Sequence, residues 1–256
     1  MFLVFNKQKI YAYIVSIVTV VLLFFIANNL NQGTIQASSN VSKELPIYNV
    51  KREDSKVSIT MNCAWNADDI NEILKILEDN NVKITFFVVG DWADKYPEAL
   101  KKMSNAGHEI ASHSDTHPHV NNLSYEENCK EIEKSNEKIE KITGSRTDLY
   151  RTPYGEYNNT VIKAAKNNGY YPIQWSLDTL DYTGIKGVEM WNRLKEKIKG
   201  GDIILMHNGT EHTKDSLDML IKNIKQKNLD IVKVSELIYK ENYEINSNGT
   251  QIRNDV

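Results

Sequence analysis

Residues 57–112 read VSITMNCAWNADDINEILKILEDNNVKITFFVVGDWADKYPEALKKMSNAGHEIAS. Residues 57–62 and 84–89 are short runs rich in β-branched and aromatic side chains, bounded by polar turns, and read as strands. Between them, residues 68–78 repeat apolar side chains at helical spacing. Residues 97–105 do the same behind a proline suited to a first helical turn. Residues 108–112 return to strand. Strands separated by helices imply parallel pairing, because parallel neighbours need a long crossover and a helix supplies it.

The alternation continues downstream. Strands are expected at 149–151, 171–177, 202–206 and 230–234, and helices at 125–142, 160–167, 188–198, 215–226 and 235–240. Ser124 and Glu127 form a capping-box pattern at the head of the longest of these helices. Gly107, Gly144, Gly169 and Gly200 follow helical stretches, where a left-handed stop is wanted. The fold class is therefore α/β. A distorted parallel (β/α) barrel with fewer than eight units fits best, and a doubly wound sheet shares the same periodicity.

Upstream the composition changes. Residues 10–27, IYAYIVSIVTVVLLFFIA, are uncharged and apolar. This run approaches the roughly 17–25 residues that cross a bilayer as a helix, so a transmembrane anchor is expected over 10–28. Lys7 and Lys9 precede it and the next charge is Lys43. The positive-inside rule leaves residues 1–9 in the cytoplasm and the rest outside, as in a single-pass cell-membrane protein. A cleaved signal peptide is the rival. The run exceeds the roughly 7–15 apolar residues usual there, and the small-residue site at 35–37 lies well beyond its end. Residues 29–56 read as a polar linker, 57–242 as the folded domain and 243–256 as a disordered polar tail.

The net charge is −3 over 256 residues. No basic block or aromatic-basic interleaving marks a nucleic-acid partner. Two cysteines, Cys63 and Cys129, exclude a disulfide framework and leave room for one bridge.

Reactive side chains fall at strand ends. Asn62 and Cys63 end the first expected strand, His113 follows the third, and Arg151 ends the fourth. Asp178 follows the fifth and His207 the sixth. In parallel barrels the βα loops converge at those ends and build the active site. His113 and His117 lie four apart in HSDTH, so on a helical turn both imidazoles would share one face and one metal ion. Two surface histidines beside a turn would look the same. His119 reads as loop. His207, in IILMHNG, suits a general acid or base near neutral pH. Asp178 and Asp181, in WSLDTLDY, could orient it, bind a cation or simply shape a turn. In residues 151–155, RTPYG, backbone amides could face an oxyanion.

These motifs resemble those of the polysaccharide deacetylases, the NodB-like carbohydrate esterases. HSDTH resembles their HSxxH metal motif, RTPYG their RxPYG, DTLDY their DxxDW with Tyr182 for Trp, and LMH their LxH. All four come in the family's order, and the resemblance covers residues 57–239. It implies a divalent metal such as zinc, held by His113 and His117, and removal of N-acetyl groups from a glycan. Arg151 would hold the catalytic carboxylate, the Tyr154 amide would help form the oxyanion hole, and Asp178 would tune His207, the acid for the leaving amine.

The first motif departs from the family. The usual TFDDG carries a general base and a metal ligand; here residues 60–64 are TMNCA. Asn62 cannot act as a base. Cys63 is a candidate thiolate ligand or a small buried side chain. Asp68 and Asp69 fall in the first turn of a helix, where the dipole favours carboxylates without catalysis. TMNCAWN resembles the first motif of a sporulation-associated branch, which carries a Trp like Trp65. The leading expectation is a metal-dependent deacetylase of an extracytoplasmic glycan, with peptidoglycan as the expected substrate. The alternative is a non-catalytic glycan-binding pseudoenzyme of the same fold. A metalloprotease would expect HExxH, which is absent.

Overall fold

The computed structural model describes residues 7–36 and 43–254. They form two units, one ending at Lys43 and the other comprising Glu44–Val256. The first carries helix α1 (Lys7–Gln36). Its side chains are described without a break over 14–26, and they are exposed and mostly apolar. Among the described residues no helix is long and apolar enough to cross a membrane, so the structure gives no support to the anchor expected over 10–28. Residues 1–6, residues 37–42 of the expected linker, Ala37 of the rival cleavage site and residues 255–256 of the expected tail lie outside the described residues.

In the second unit the strands are β1 (Asn49–Val50), β2 (Lys56–Cys63), β3 (Thr85–Val88), β4 (Glu109–Ser112), β5 (Leu149–Tyr150), β6 (Tyr171–Pro172), β7 (Leu177–Asp178), β8 (Ile203–His207), β9 (Asp230–Ile231), β10 (Tyr243–Ile245) and β11 (Thr250–Arg253). The helices are α2 (Ile70–Asp79), α3 (Gly90–Lys95), α4 (Pro97–Asn105), α5 (Tyr125–Thr143), α6 (Asn159–Asn167), α7 (Gly187–Leu194), α8 (Thr213–Gln226) and α9 (Val234–Leu237). Apart from the strand expected at 171–177, the expected helices and strands recur within a few residues of their expected bounds. The capping box holds: Ser124 Oγ accepts the Glu127 N–H at 3.2 Å and Glu127 Oε2 accepts the Ser124 N–H at 2.8 Å. α5 stops at Gly144, whose φ is 75°.

The main sheet is parallel, in the order β6-β5-β4-β3-β2-β8-β7, with β9 against the start of β2. Written as a ring, this order follows the chain and shows no reversal, as a barrel does and a doubly wound sheet does not. The sheet is curled and irregular. The expected strand 171–177 is in fact two strands. Its first half pairs with β5 and its second half with β8, so one chain segment joins both edges. At the break, Ile47 inserts: its N–H donates to the Pro172 carbonyl at 2.8 Å and its carbonyl accepts the Gln174 N–H at 2.7 Å. Ile47 is fully buried.

That insertion corrects the expected linker over 29–56. Residues 29–36 belong to α1, and residues 47–50 seal the barrel where it lacks a unit. The tail is corrected too. β10 and β11 pair antiparallel, and β11 pairs parallel with β1, in a second small sheet. Gln251, fully buried, donates Nε2–H to the Tyr239 carbonyl at 2.6 Å and accepts the Tyr239 N–H at 2.9 Å. Of the expected left-handed stops, Gly200 is the exception. Its neighbour Gly201 has φ 90°, and a Cβ there would lie 1.7 Å from the Val50 carbonyl oxygen, so only glycine fits beneath β1. Cys63 and Cys129 are both free.

Along β2 the side chains alternate. Val57, Ile59, Met61 and Cys63 join the large apolar cluster with residues of α2, α7 and α8. Ser58, Thr60 and Asn62 take the other face, where Thr60 and Asn62 meet Arg151. This alternation decides what the first motif contributes to the site.

Candidate active site

The C-terminal ends of the parallel strands surround a cavity of about 620 Å³. Asn62, His113, His117, Tyr154, Asp178 and His207 all line it. Of the residues expected at strand ends, Asn62, His113, Asp178 and His207 line it, joined by His117 and Tyr154, whereas Cys63 and Arg151 do not.

His113 follows β4 and is almost fully buried. Its Nδ1 lies 2.9 Å from the Arg151 carbonyl oxygen. A carbonyl oxygen only accepts, so Nδ1 carries the hydrogen and Nε2 keeps a lone pair. Burial, then the neighbouring His117, pushes His113 well below the ordinary histidine range. Burial also lowers His117. Both imidazoles are thus held neutral, the form that ligates or accepts a hydrogen bond.

The two rings meet edge-on with centroids 5.0 Å apart. The expected helical turn does not bring them there. Residues 113–117 form a loop in which Ser114 and His117 both have positive φ, 66° and 58°. Glu131 of α5 ties that loop down. Its Oε2 accepts the N–H groups of Asp115 and Thr116 at 3.0 and 2.9 Å, and its Oε1 accepts the Thr116 hydroxyl at 3.0 Å.

Arg151 is fully buried behind the cavity floor. Its guanidinium donates to Thr60 Oγ1 at 2.9 Å, to Asn62 Oδ1 at 3.0 Å and to the Gln174 carbonyl at 3.1 Å. It lies 3.9 Å above the centre of the Phe87 ring. All these partners are neutral. Burial pushes the guanidinium below its ordinary range, and the field of Asp178 opposes that. The expected carboxylate partner is therefore replaced by an amide oxygen and a π face.

His207 ends β8. Its Nδ1 is 2.9 Å from Asp181 Oδ1, and its backbone N–H donates to Asp181 Oδ2 at 2.6 Å. Thr213 donates its hydroxyl to the same Oδ2 at 2.7 Å. Asp181 is fully buried. This corrects the expectation that Asp178 tunes His207. Asp178 lines the cavity, but its Oδ1 accepts the Leu180 N–H at 2.8 Å, and burial raises its carboxyl above the usual range. The short DTLDY loop, with Leu180 left-handed at φ 56°, turns the second aspartate inward beneath the histidine.

Cys63 is corrected as a metal ligand. It is fully buried in the apolar cluster and does not line the cavity, because it faces opposite to Asn62. Burial and the charge of Asp69 raise its thiol well above the ordinary range, so it stays protonated. Asp69 is structural in a way other than the one expected: it is the N-cap residue of α2, and its oxygens accept Asn208 Nδ2–H at 3.1 Å and the Gly209 N–H at 2.7 Å. A catalytic zinc takes three protein ligands. Here His113 and His117 supply two, and among the described residues no group of three or more His, Cys, Asp or Glu is placed to hold an ion. The donor set falls short of the expected metal.

Aromatic rings form the walls; the sequence reading names Trp65, Tyr154 and Tyr182 for other reasons and does not name Trp175. Trp65 stacks on His207 with centroids 5.4 Å apart, and Tyr182 meets that ring edge-on at 5.2 Å. Tyr154 sits in the left-handed region at φ 57° and stacks on His119 at 4.4 Å. Trp175 completes the wall. Half-exposed rings around a polar floor suit the apolar faces of a sugar. The doubled aspartate of DTLDY and the tryptophan after NCA were the available signals.

Comparison with known proteins places this geometry. A polysaccharide deacetylase profile matches residues 49–173. YlxY of Bacillus subtilis (strain 168), an uncharacterised protein, is 33% identical over 193 residues, which cover 75% of this chain and 60% of YlxY. The peptidoglycan-N-acetylglucosamine deacetylase of Bacillus cereus is 28% identical over 201 residues, covering 77% and 73%. The crystal structure of BA3943, a CE4 family pseudoenzyme from Bacillus anthracis, superposes with a TM-score of 0.72 at 32% identity, covering 75% and 68%; a mutant of it has restored enzymatic activity. With its motifs gathered on one curled parallel sheet, this chain belongs to the polysaccharide deacetylase family.

Proposed function

We propose that the domain binds N-acetylhexosamine units of peptidoglycan in this cleft and hydrolyses their acetamide groups slowly. One observation carries the reading. His207, pinned through Nδ1 by buried Asp181, shares a cavity with the two neutral imidazoles of His113 and His117. In the hydrolysis, water attacks the carbonyl carbon and the RTPYG loop faces the developing oxyanion. His207, carrying a proton on Nε2, gives it to the departing nitrogen, the C–N bond breaks, the proton lost by the attacking water passes to solvent, and acetate and a free amine result. The general base is missing, because Asn62 cannot accept a proton. A positioned base contributes about 10²–10⁴ in rate, so a correspondingly slow enzyme is expected.

The test is acetate release from N-acetylated peptidoglycan fragments by the full-length protein, with and without added zinc or cobalt. Release above that of His207→Ala supports the reading. Release no greater than that variant's under every metal condition removes it.

A second reading has its own observation. Asn62 stands where the family carries its base, and the metal donor set is incomplete. On this reading the chain is a glycan-binding pseudoenzyme. Binding without turnover, together with turnover created by Asn62→Asp, would favour it.

We further propose, on the sequence alone, that the N-terminal segment tethers the domain to the outer face of the cell membrane. The uncharged run 10–27 behind Lys7 and Lys9 supports this. Fractionation of the full-length protein, followed by protease treatment of intact cells, tests it.

A further inference from the structure

Asn62 is more than a lost base. Arg151 has only donors, so the Asn62 atom 3.0 Å from Nη1 must be the carbonyl oxygen, Oδ1. The amide group Nδ2H₂ therefore turns away from Arg151, and Asn62 lines the cavity. The family's motif would put an acceptor at this place, and this chain puts a donor. His113 is held by the same residue from the other side, through the Arg151 carbonyl, which leaves the lone pair of His113 Nε2 as an acceptor. One arginine thus orients a donor and an acceptor that share a cavity.

That pair is complementary to a secondary amide. A carbonyl oxygen wants a donor, and the amide N–H wants an acceptor. We infer that Asn62 and His113 make the cleft floor a reader of the N-acetyl group, Asn62 Nδ2 donating to the acetamide oxygen and His113 Nε2 accepting from the acetamide N–H. This rests on the glycan-binding part of the proposed function and needs neither metal nor turnover. It assigns Asn62 a specificity role in place of the catalytic one.

The corollary is discrimination against the deacetylated sugar. A glucosamine ammonium has donors only and would face the Asn62 donors with the buried Arg151 guanidinium behind them. Asp178 also lines the cavity and is the feature that would welcome a cation, though its Oδ1 is taken by the Leu180 N–H. Sites built to pair a polar group reject analogues that leave it unpaired, so a preference on the order of tenfold or more is expected.

The experiment is calorimetric titration of the full-length protein, in chelator, with the N-acetylglucosamine tetramer and with its fully deacetylated counterpart. Wild type should prefer the acetylated tetramer by on the order of tenfold or more. Asn62→Leu should abolish the preference. Asn62→Asp, nearly isosteric and able to pair with Arg151, should shift it toward the amine, which guards against a folding artefact in the leucine variant. Both variants keeping the wild-type preference would overturn the inference and leave glycan binding standing. Wild type binding neither tetramer would overturn glycan binding together with the reader.

Discussion

Asp181 holds His207 at two points: one carboxylate oxygen accepts the ring Nδ1–H at 2.9 Å and the other accepts the backbone N–H at 2.6 Å. The ring is fixed in tautomer and direction by a group with no solvent exposure. Asp181→Asn should therefore lower acetate release by about 10²–10⁴, mostly in kcat. Asp178→Asn, which disturbs an oxygen bound to the Leu180 amide, should cost less than roughly tenfold on the same scale. Equal losses in the two variants would show that the assignment to Asp181 is wrong.

Asn62→Asp should stabilise the fold. The variant supplies a carboxylate to a buried guanidinium whose present partners are all neutral. A charge-assisted bond gains more than a neutral one, and desolvation of the new carboxylate offsets part of that gain, leaving about 1–2 kcal/mol at pH 7. Denaturant unfolding measures it. The gain should vanish in acid as the carboxylate protonates, and an unchanged midpoint at pH 7 would refute the argument.

Acid should weaken the protein through His108. Its Nδ1 accepts the Ile84 N–H at 3.2 Å, and burial, then Lys83, pushes its pKa down to about 4 from 6.5. The folded state binds a proton less readily than the unfolded chain. Stability from this group is complete above pH 6.5 and is lost as pH falls toward 4, by up to about 3 kcal/mol. His113 acts in the same direction. His108→Gln should flatten the stability profile between those pH values, and parallel profiles for variant and wild type would exclude His108.

The C-terminal hairpin should be structural. Gln251→Ala removes two hydrogen bonds to Tyr239 in a fully buried setting and should cost about 1–3 kcal/mol. Truncation after Asn242 deletes β10 and β11 and should cost more. A truncated protein that melts with wild type would restore the reading of residues 243–256 as a loose tail.

Cys63 should be inert in the native state, because its buried thiol stays protonated. Cys129, only partly buried, should react with a thiol reagent first. One equivalent should label under native conditions and two in denaturant. Cys63→Ala should leave zinc affinity unchanged, and a drop would return Cys63 to the metal.

Much of this is legible in the amino-acid sequence. Local rules act within a few residues, so the βα alternation, the Ser124–Glu127 capping box and the placing of His113, Arg151 and His207 at strand ends could be read along the chain. Other outcomes depend on which residues distant segments bring together. Whether Cys63 or Asn62 faces the cavity follows from the pleat of β2 once the helices claim one of its faces. Asp181 displaces Asp178 because a left-handed Leu180 turns it under a strand that lies 26 residues on. Residues 47–50 looked like linker because their role is to fill a gap between β6 and β7, and that gap exists only when the sheet has curled. Periodicity records which side chains avoid water; it carries no record of the partner each one meets, since that is set by closure of the barrel.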